Sequence, residues 1–322
     1  MSAQALDHGL LQQAADWYAR LAGQPGDLAL QQAWEHWLAA AEAHRQAWAF
    51  VEQVSERFAP LQPQAASASH ALGQLRRGGQ SRRAVLRGLS TVAGVSVLGW
   101  LGWQGGAHQA WLAWQADYRT GVGRIEEREL ADGTRLWLNS ASAVDVRFDA
   151  RHRSLYLYRG EVLISTAEDA RPLQVHTRDG RLQPLGTRFS VLQGDDRTQL
   201  TVFAGEVLGR CAASGLQQRV AAGRAVSFDS QRFTSQHEAP AMRESWRDGV
   251  LLARDTDLRS LVAELARYRT GYLGVAPELA DLRIMGAYPL QDTDQALEML
   301  ARTLPVRIER RLPWWVSVEP AD

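Results

Sequence analysis

The chain contains no lysine: all 36 of its cationic side chains are arginine. That bias is as compatible with a GC-rich genome as with any chemistry. Cysteine is almost as scarce, with Cys211 alone, which excludes an intrachain disulfide and a Cys-based zinc site. A solitary cysteine is expected as a small buried residue. Net charge is missing too, because 36 acids balance the 36 bases, and this argues against a strongly electrostatic nucleic-acid binder. The eight histidines are scattered, and no G-x-S-x-G, H-E-x-x-H or phosphate-loop motif occurs, so nothing points to a hydrolase, a metal or a cofactor. Uninterrupted apolar sequence is limited to one stretch, Gly88–Trp103, GLSTVAGVSVLGWLGW.

What is present is distributed unevenly over 322 residues, a length that allows two or more domains. Residues 1–75 hold seven acids and three arginines, a net charge of −4. Arg76, Arg77, Arg82, Arg83 and Arg87 follow with no acid among them. Such asymmetry marks a boundary between compartments or partners. The sixteen uncharged residues behind it rise about 24 Å, short of a roughly 30 Å hydrocarbon core. A helix begun at Ala84 and running to residue 104 spans it, with Arg87 reaching back to the headgroups. Trp100, Trp103, Trp111 and Trp114 are expected at the outer interface as an aromatic belt. Arginines on one side only place the N-terminus in the cytoplasm and the C-terminal two-thirds outside a bacterial inner membrane. Arg82-Arg83 ahead of the apolar stretch also looks like a twin-arginine export signal, internal and therefore an anchor.

Residues 1–58 carry helical periodicity. Leu10, Ala14, Trp17, Tyr18 and Leu21 recur at three- and four-residue steps, and Gly23-Gln24-Pro25-Gly26 then breaks the helix. Asp27 is placed to cap the next one, where Leu30, Ala33, Trp34, Trp37 and Leu38 continue the pattern, followed by Trp48, Val51 and Val54. Three short helices make a small core, and four tryptophans exceed what it needs. Some of Trp17, Leu21, Trp34, Trp37, Leu38 and Trp48 are therefore expected to line a groove for a partner helix. His44 has no second ligand at metal spacing and is read as structural or surface. Residues 59–83, with Pro60, Pro63 and then Ala, Ser, Gln and Gly, read as a flexible tether.

From residue 118 to 230 the period changes to two, with strands expected at 122–128, 134–139, 143–148, 154–158, 161–166, 172–177, 187–192, 198–204 and 206–210. Asp132-Gly133 and Asp179-Gly180 are hairpin signals. Tyr158-Arg159-Gly160-Glu161-Val162-Leu163 returns as Phe203-Ala204-Gly205-Glu206-Val207-Leu208, which indicates a duplicated β element with a sharp turn at Gly and Val/Leu in the core. Glu161 and Glu206 read as structural turn residues. Residues 244–320 hold a second duplication. Asp255-Thr256-Asp257 and Asp292-Thr293-Asp294 each cap a helix between short strands, the first helix running to about Arg269. Alternation places adjacent Trp314 and Trp315 on opposite faces of a strand.

Three groups of residues carry a family resemblance. Ala15-Asp16-Trp17-Tyr18-Ala19-Arg20-Leu21, Trp34-Glu35-His36-Trp37-Leu38 and His44-Arg45-Gln46-Ala47-Trp48 resemble the N-terminal domain of FecR-like regulators. Asp132-Gly133-Thr134-Arg135-Leu136-Trp137-Leu138-Asn139 and the duplicated unit look like the periplasmic FecR domain, and the two βαβ-like halves resemble the secretin/TonB short N-terminal (STN) domain. The resemblance implies a multi-domain chain: an all-α cytoplasmic head, one transmembrane helix, an all-β periplasmic domain and an α+β STN-like lobe. It implies an anti-sigma factor whose head binds an extracytoplasmic-function sigma factor. The lobe is then expected to recognise the signalling domain of a TonB-dependent outer-membrane transducer for iron-siderophore or haem uptake, with site proteases in the relay. It further implies that the chain cuts itself between Gly186 and Thr187, as some members do at a segment like Pro184–Val191. There the Thr187 hydroxyl attacks the carbonyl before it. The residues equally describe a turn opening into a strand. The alternative class is a membrane-anchored periplasmic binding module without a sigma partner.

Overall fold

The computed structural model describes residues 7–24, 26–58 and 108–321. The expected tether 59–83, the twin arginines Arg82 and Arg83, and the expected span 84–104 lie outside the described residues. Among the described residues no helix is long and apolar enough to cross a membrane.

The head is three helices, α1 (His8–Gly23), α2 (Leu28–Ala40) and α3 (Glu42–Phe58). Asp7 caps α1 by accepting from the Leu10 N–H, and Asp27 caps α2 by accepting from the N–H groups of Ala29 and Leu30. Each cap satisfies donors that a helix end leaves orphaned, worth about 1 kcal/mol. Ala14, Ala15 and Ala47 are fully buried, and such small residues let α1 and α3 approach closely. No residue of α2 is buried.

A short helix, His108–Gln115, leads into a two-sheet β body. The strand Arg153–Ser165 belongs to both sheets: its first half pairs with Ala143–Phe148 and Leu173–His176, its second half with Arg135–Leu138 and Arg188–Gln193. The separate strands expected at 154–158 and 161–166 are therefore one strand bent at Gly160, whose φ of 81° is left-handed. Gly205, at φ 75°, performs the same service between Thr198–Ala204 in one sheet and Glu206–Cys211 in the other. The repeated unit is a corner at which the chain changes sheets. An added Cβ at Gly160 would lie 2.3 Å from Ser142 Oγ, so glycine is required there for space as well as for dihedral. Leu136, Leu155, Val162, Phe189, Val202, Val207 and Phe228 are without exposure between the sheets, each contributing roughly 1.5–3 kcal/mol. Cys211 is buried at the edge of this core.

The C-terminal lobe follows in the order strand Val250–Asp257, helix Leu258–Ala266, strand Tyr272–Val275, strand Arg283–Pro289, helix Thr293–Thr303, and strands Val306–Leu312 and Trp315–Pro320. Its sheets mix the two halves, pairing Val250–Asp257 with Arg283–Pro289, and Tyr272–Val275 with Trp315–Pro320. Asp257 and Asp292 cap the helices as their positions require. The first helix stops at Ala266, short of Arg269, with Arg267 as its cap. Trp314 lies in the turn before its strand, so alternation does not govern it; Trp314 and Trp315 are both buried, with rings edge to face at 5.9 Å. Lobe and β body share one apolar core in which Trp137 and Leu163 meet Trp246, Leu261 and Leu297.

Candidate functional site

The segment expected to cut itself lies where Gly180–Pro184 passes into Arg188–Gln193. Gly186 adopts φ +69°, and a Cβ there would meet nothing within 4 Å, so only the left-handed dihedral demands glycine. Thr187 is 5% exposed. Thr166 brackets it: Thr166 Oγ1 accepts from the Thr187 N–H at 2.8 Å and donates to the Thr187 carbonyl at 3.2 Å, and the Thr166 N–H donates to that carbonyl at 3.0 Å. The backbone of Thr187 is thus fully engaged, while its buried Oγ1 has no hydrogen-bond partner. Leaving such a group unpaired costs about 1–3 kcal/mol. A left-handed glycine is thus followed directly by a desolvated hydroxyl that no hydrogen bond commits.

The second repeat presses on this peptide. A Cβ on Gly205 would stand 2.4 Å from Gly186 O and 2.7 Å from Thr187 Cγ2, and the Leu185 N–H donates to Glu206 O at 3.0 Å. On its other side Arg188 Nε meets Glu244 of the lobe at 2.8 Å. Thr166 and Gly205 carry no signal in their own sequence neighbourhood that ties them to Gly186. The repeat marked Gly205 as a turn without indicating what it turns against.

The first repeat supplies the junction of the β body with the lobe. Glu161, expected as a turn residue, is fully buried and accepts from Asn139 Nδ2 at 2.9 Å, Ser190 Oγ at 3.1 Å and Arg267 at 2.7 Å, with Arg243 at 3.5 Å. Both arginines also pair with Glu264. Burial alone raises the Glu161 carboxyl, but the Arg267 and Arg243 guanidiniums and the Arg267 and Asn139 hydrogen bonds outweigh it and hold it below the ordinary glutamate value. Glu206, its counterpart, is partly exposed and pairs with Arg219 at 2.6 Å. Among the described residues no cluster of three metal-ligating side chains occurs.

In the head, the six expected partner-binding residues are half-buried, and the tryptophans meet in two pairs. Trp17 lies 6.3 Å from Trp37, Trp34 lies 4.9 Å from Trp48, and His44 stacks on Trp37 at 4.5 Å while its Nδ1 reaches Trp37 O at 2.7 Å. Leu21 and Leu38 are likewise half-buried. The fully covered face is a different one: Leu11, Ala14, Ala15, Ala47 and Val51, with Phe50 beside them, pack against Tyr272, Trp314 and Trp315 of the lobe.

Residues 116–208, which hold the first corner, the Glu161 junction and the Gly186–Thr187 segment, match the family described as FecR protein. That stretch of the chain is similar to FecR protein. Residues 12–54, most of α1 to α3, match a second family, described as a domain of unknown function, DUF4880. Two crystal structures of a candidate anti-sigma factor from Parabacteroides distasonis ATCC 8503 share its fold. The 2.50 Å structure is 19% identical at a TM-score of 0.52, covering 64% of this chain and 98% of that chain. The 1.65 Å structure is 19% identical at 0.53, covering 64% and 99%. No curated protein sequence matches the chain.

Proposed function

We propose that this FecR-like chain is an anti-sigma factor that crosses the bacterial inner membrane once. Its helical head then faces the cytoplasm and holds an extracytoplasmic-function sigma factor. Its β body and STN-like lobe face the periplasm and receive the state of a TonB-dependent transducer for iron-siderophore or haem uptake. The observation that carries this reading is the order of the two family matches, 12–54 and 116–208, on either side of the arginine-flanked apolar stretch. The exposure of Trp111 and Trp114 supports it: three residues apart on helix His108–Gln115, 50% and 69% exposed, they suit a membrane interface immediately outside the span. The net charge of −4 on residues 1–75 favours encounter with the basic, DNA-binding surfaces of a sigma factor. The test is affinity capture from the source cells with an N-terminally tagged chain. Recovery of a sigma factor, reduced by Trp37→Ala, supports the reading; repeated recovery of none leaves an anchored periplasmic binding module.

Self-cleavage at Gly186–Thr187 belongs to the same proposal. Thr187 Oγ attacks the Gly186 carbonyl carbon, the Gly186 C–N bond breaks, and the amide becomes an ester with the Thr187 amine released. Water then opens the ester to a Gly186 carboxylate and restores the hydroxyl. Site proteases act on the cut chain to release the head. Blots of chains tagged at both ends should show two fragments meeting near residue 186 in the wild type and one full-length band in Thr187→Ala. Identical fragments in both would remove Thr187 as the nucleophile.

A further inference from the structure

The contact between head and lobe has the makeup of a specific interface. At its centre Tyr272 stacks on Trp315 at 4.0 Å, Phe50 meets both edge-on at 6.0 and 6.4 Å, and Tyr18 meets Trp314 at 5.5 Å. At its rim Gln12 Nε2 donates to Ser317 Oγ at 2.8 Å and to Glu319 Oε1 at 2.9 Å, His8 Nε2 meets Glu319 Oε1 at 3.0 Å, and Asp16 pairs with Arg311. Residues 59–107 join the two sides, 49 residues that reach more than 100 Å when extended, at about 3.3 Å each. A head in the cytoplasm and a lobe in the periplasm stand on opposite sides of a core roughly 30 Å thick. The contact and the spanning topology are mutually exclusive in one molecule at one time.

Resting on that topology, we propose that the contact is the closed state of the chain before export: the α1–α3 face of the head and the aromatic corner of the lobe occupy one another until translocation separates them. Arg82-Arg83 ahead of the apolar stretch resembles a twin-arginine signal, and a lobe that folds before export does so beside the head. An uncovered corner of Tyr272, Trp314 and Trp315 in the cytoplasm is an aggregation hazard, and the head removes it. The interface is also built to part. Gln12 Oε1, Arg311 Nε and Trp315 Nε1 are buried there without partners, a desolvation cost that is recovered on separation.

The experiment uses the full chain with Thr187→Ala to prevent self-cleavage, Cys211→Ser, His8→Cys and Glu319→Cys, and a site-specific protease site inserted within residues 64–70. Cells are treated with a short, membrane-permeant bis-maleimide and the extracted chain is then cut at the inserted site. With Arg82→Lys and Arg83→Lys blocking export, the cross-linked chain should stay joined as one band; the exported chain should separate into two. Adding Asp16→Arg to the blocked chain should lower the joined fraction several-fold, and Asp16→Arg with Arg311→Asp should restore it. A blocked chain that separates regardless would overturn the closed state and leave the single-span reading intact. An exported chain that stays joined would overturn the single-span reading itself.

Discussion

Replacing Glu161 by glutamine removes one negative charge from a cluster of two acids, Glu161 and Glu264, and two bases, Arg243 and Arg267. The cluster is neutral, so the variant leaves an uncompensated guanidinium beside a fully buried glutamine, the arginine side chains being only 15% and 22% exposed. Breaking a buried pair in this way costs about 3–5 kcal/mol. For a cooperative body of roughly 200 residues each kcal/mol moves Tm by about 2–4 °C, which predicts a fall of about 6–20 °C. Trp137 and Trp246 sit in the core shared by β body and lobe, so tryptophan fluorescence of the full chain reports the transition directly. The pH dependence supplies a second readout. The folded Glu161 carboxyl is held below its ordinary value of 4.5. Its contribution is therefore complete above that value and is lost as pH falls through the lower, folded one. The wild type should lose stability progressively below about pH 4.5, and Glu161→Gln should flatten that acid limb. Combining it with Arg267→Met should cost less than the sum of the single changes, since the unpaired charge leaves with its partner. A Tm within 2 °C of wild type for Glu161→Gln would refute the account of this junction.

Thr187→Val exchanges an orphaned hydroxyl for a methyl group of the same shape, and it should raise stability by about 1 kcal/mol while abolishing self-cleavage; a lowered Tm would show the hydroxyl to be satisfied. Gly205→Ala forces a left-handed alanine, costing about 1–2 kcal/mol, and drives its Cβ onto Gly186 O, so blots should show less fragment and fluorescence a lower Tm. Unchanged cleavage in Gly205→Ala would mean that the corner does not shape the scissile peptide. Burial pushes the Cys211 thiol up, so maleimide at pH 7 should label it only after denaturation, and rapid labelling of the native chain would contradict its burial.

Local chemistry was legible wherever its partner is close in sequence. Asp27, Asp257 and Asp292 announce helix starts because a cap bonds two or three residues on. Asp132-Gly133 announces its turn because Gly133 needs φ 82°. The repeated aromatic-x-Gly-Glu-Val-Leu unit is visible as a repeat, yet its meaning is tertiary. Each copy changes sheets, and only the first directs its glutamate into a buried cluster whose arginines lie 82 and 106 residues away. Nothing near Glu161 distinguishes it from Glu206. Trp314 and Trp315 were misplaced by strand alternation because the hairpin turn extends one residue further than periodicity indicates. The covered face of the head was hidden for another reason: Tyr272, Trp314 and Trp315, which complete its cluster, lie more than 200 residues away in the chain.

A cut at Gly186–Thr187 would not by itself let anything go. The strand that begins the C-terminal piece, Arg188–Gln193, pairs along six positions with Arg153–Ser165 of the N-terminal piece, and Glu206–Cys211 pairs along five with Gly180–Pro184. The product is two interleaved polypeptides closed around a single core, a heterodimer whose subunits were once one chain. Its parting is a mechanical event in which both ladders fail together. A nicked sensor of this design would be silent at rest and would come apart under a pull on the lobe, with no return to the uncut state.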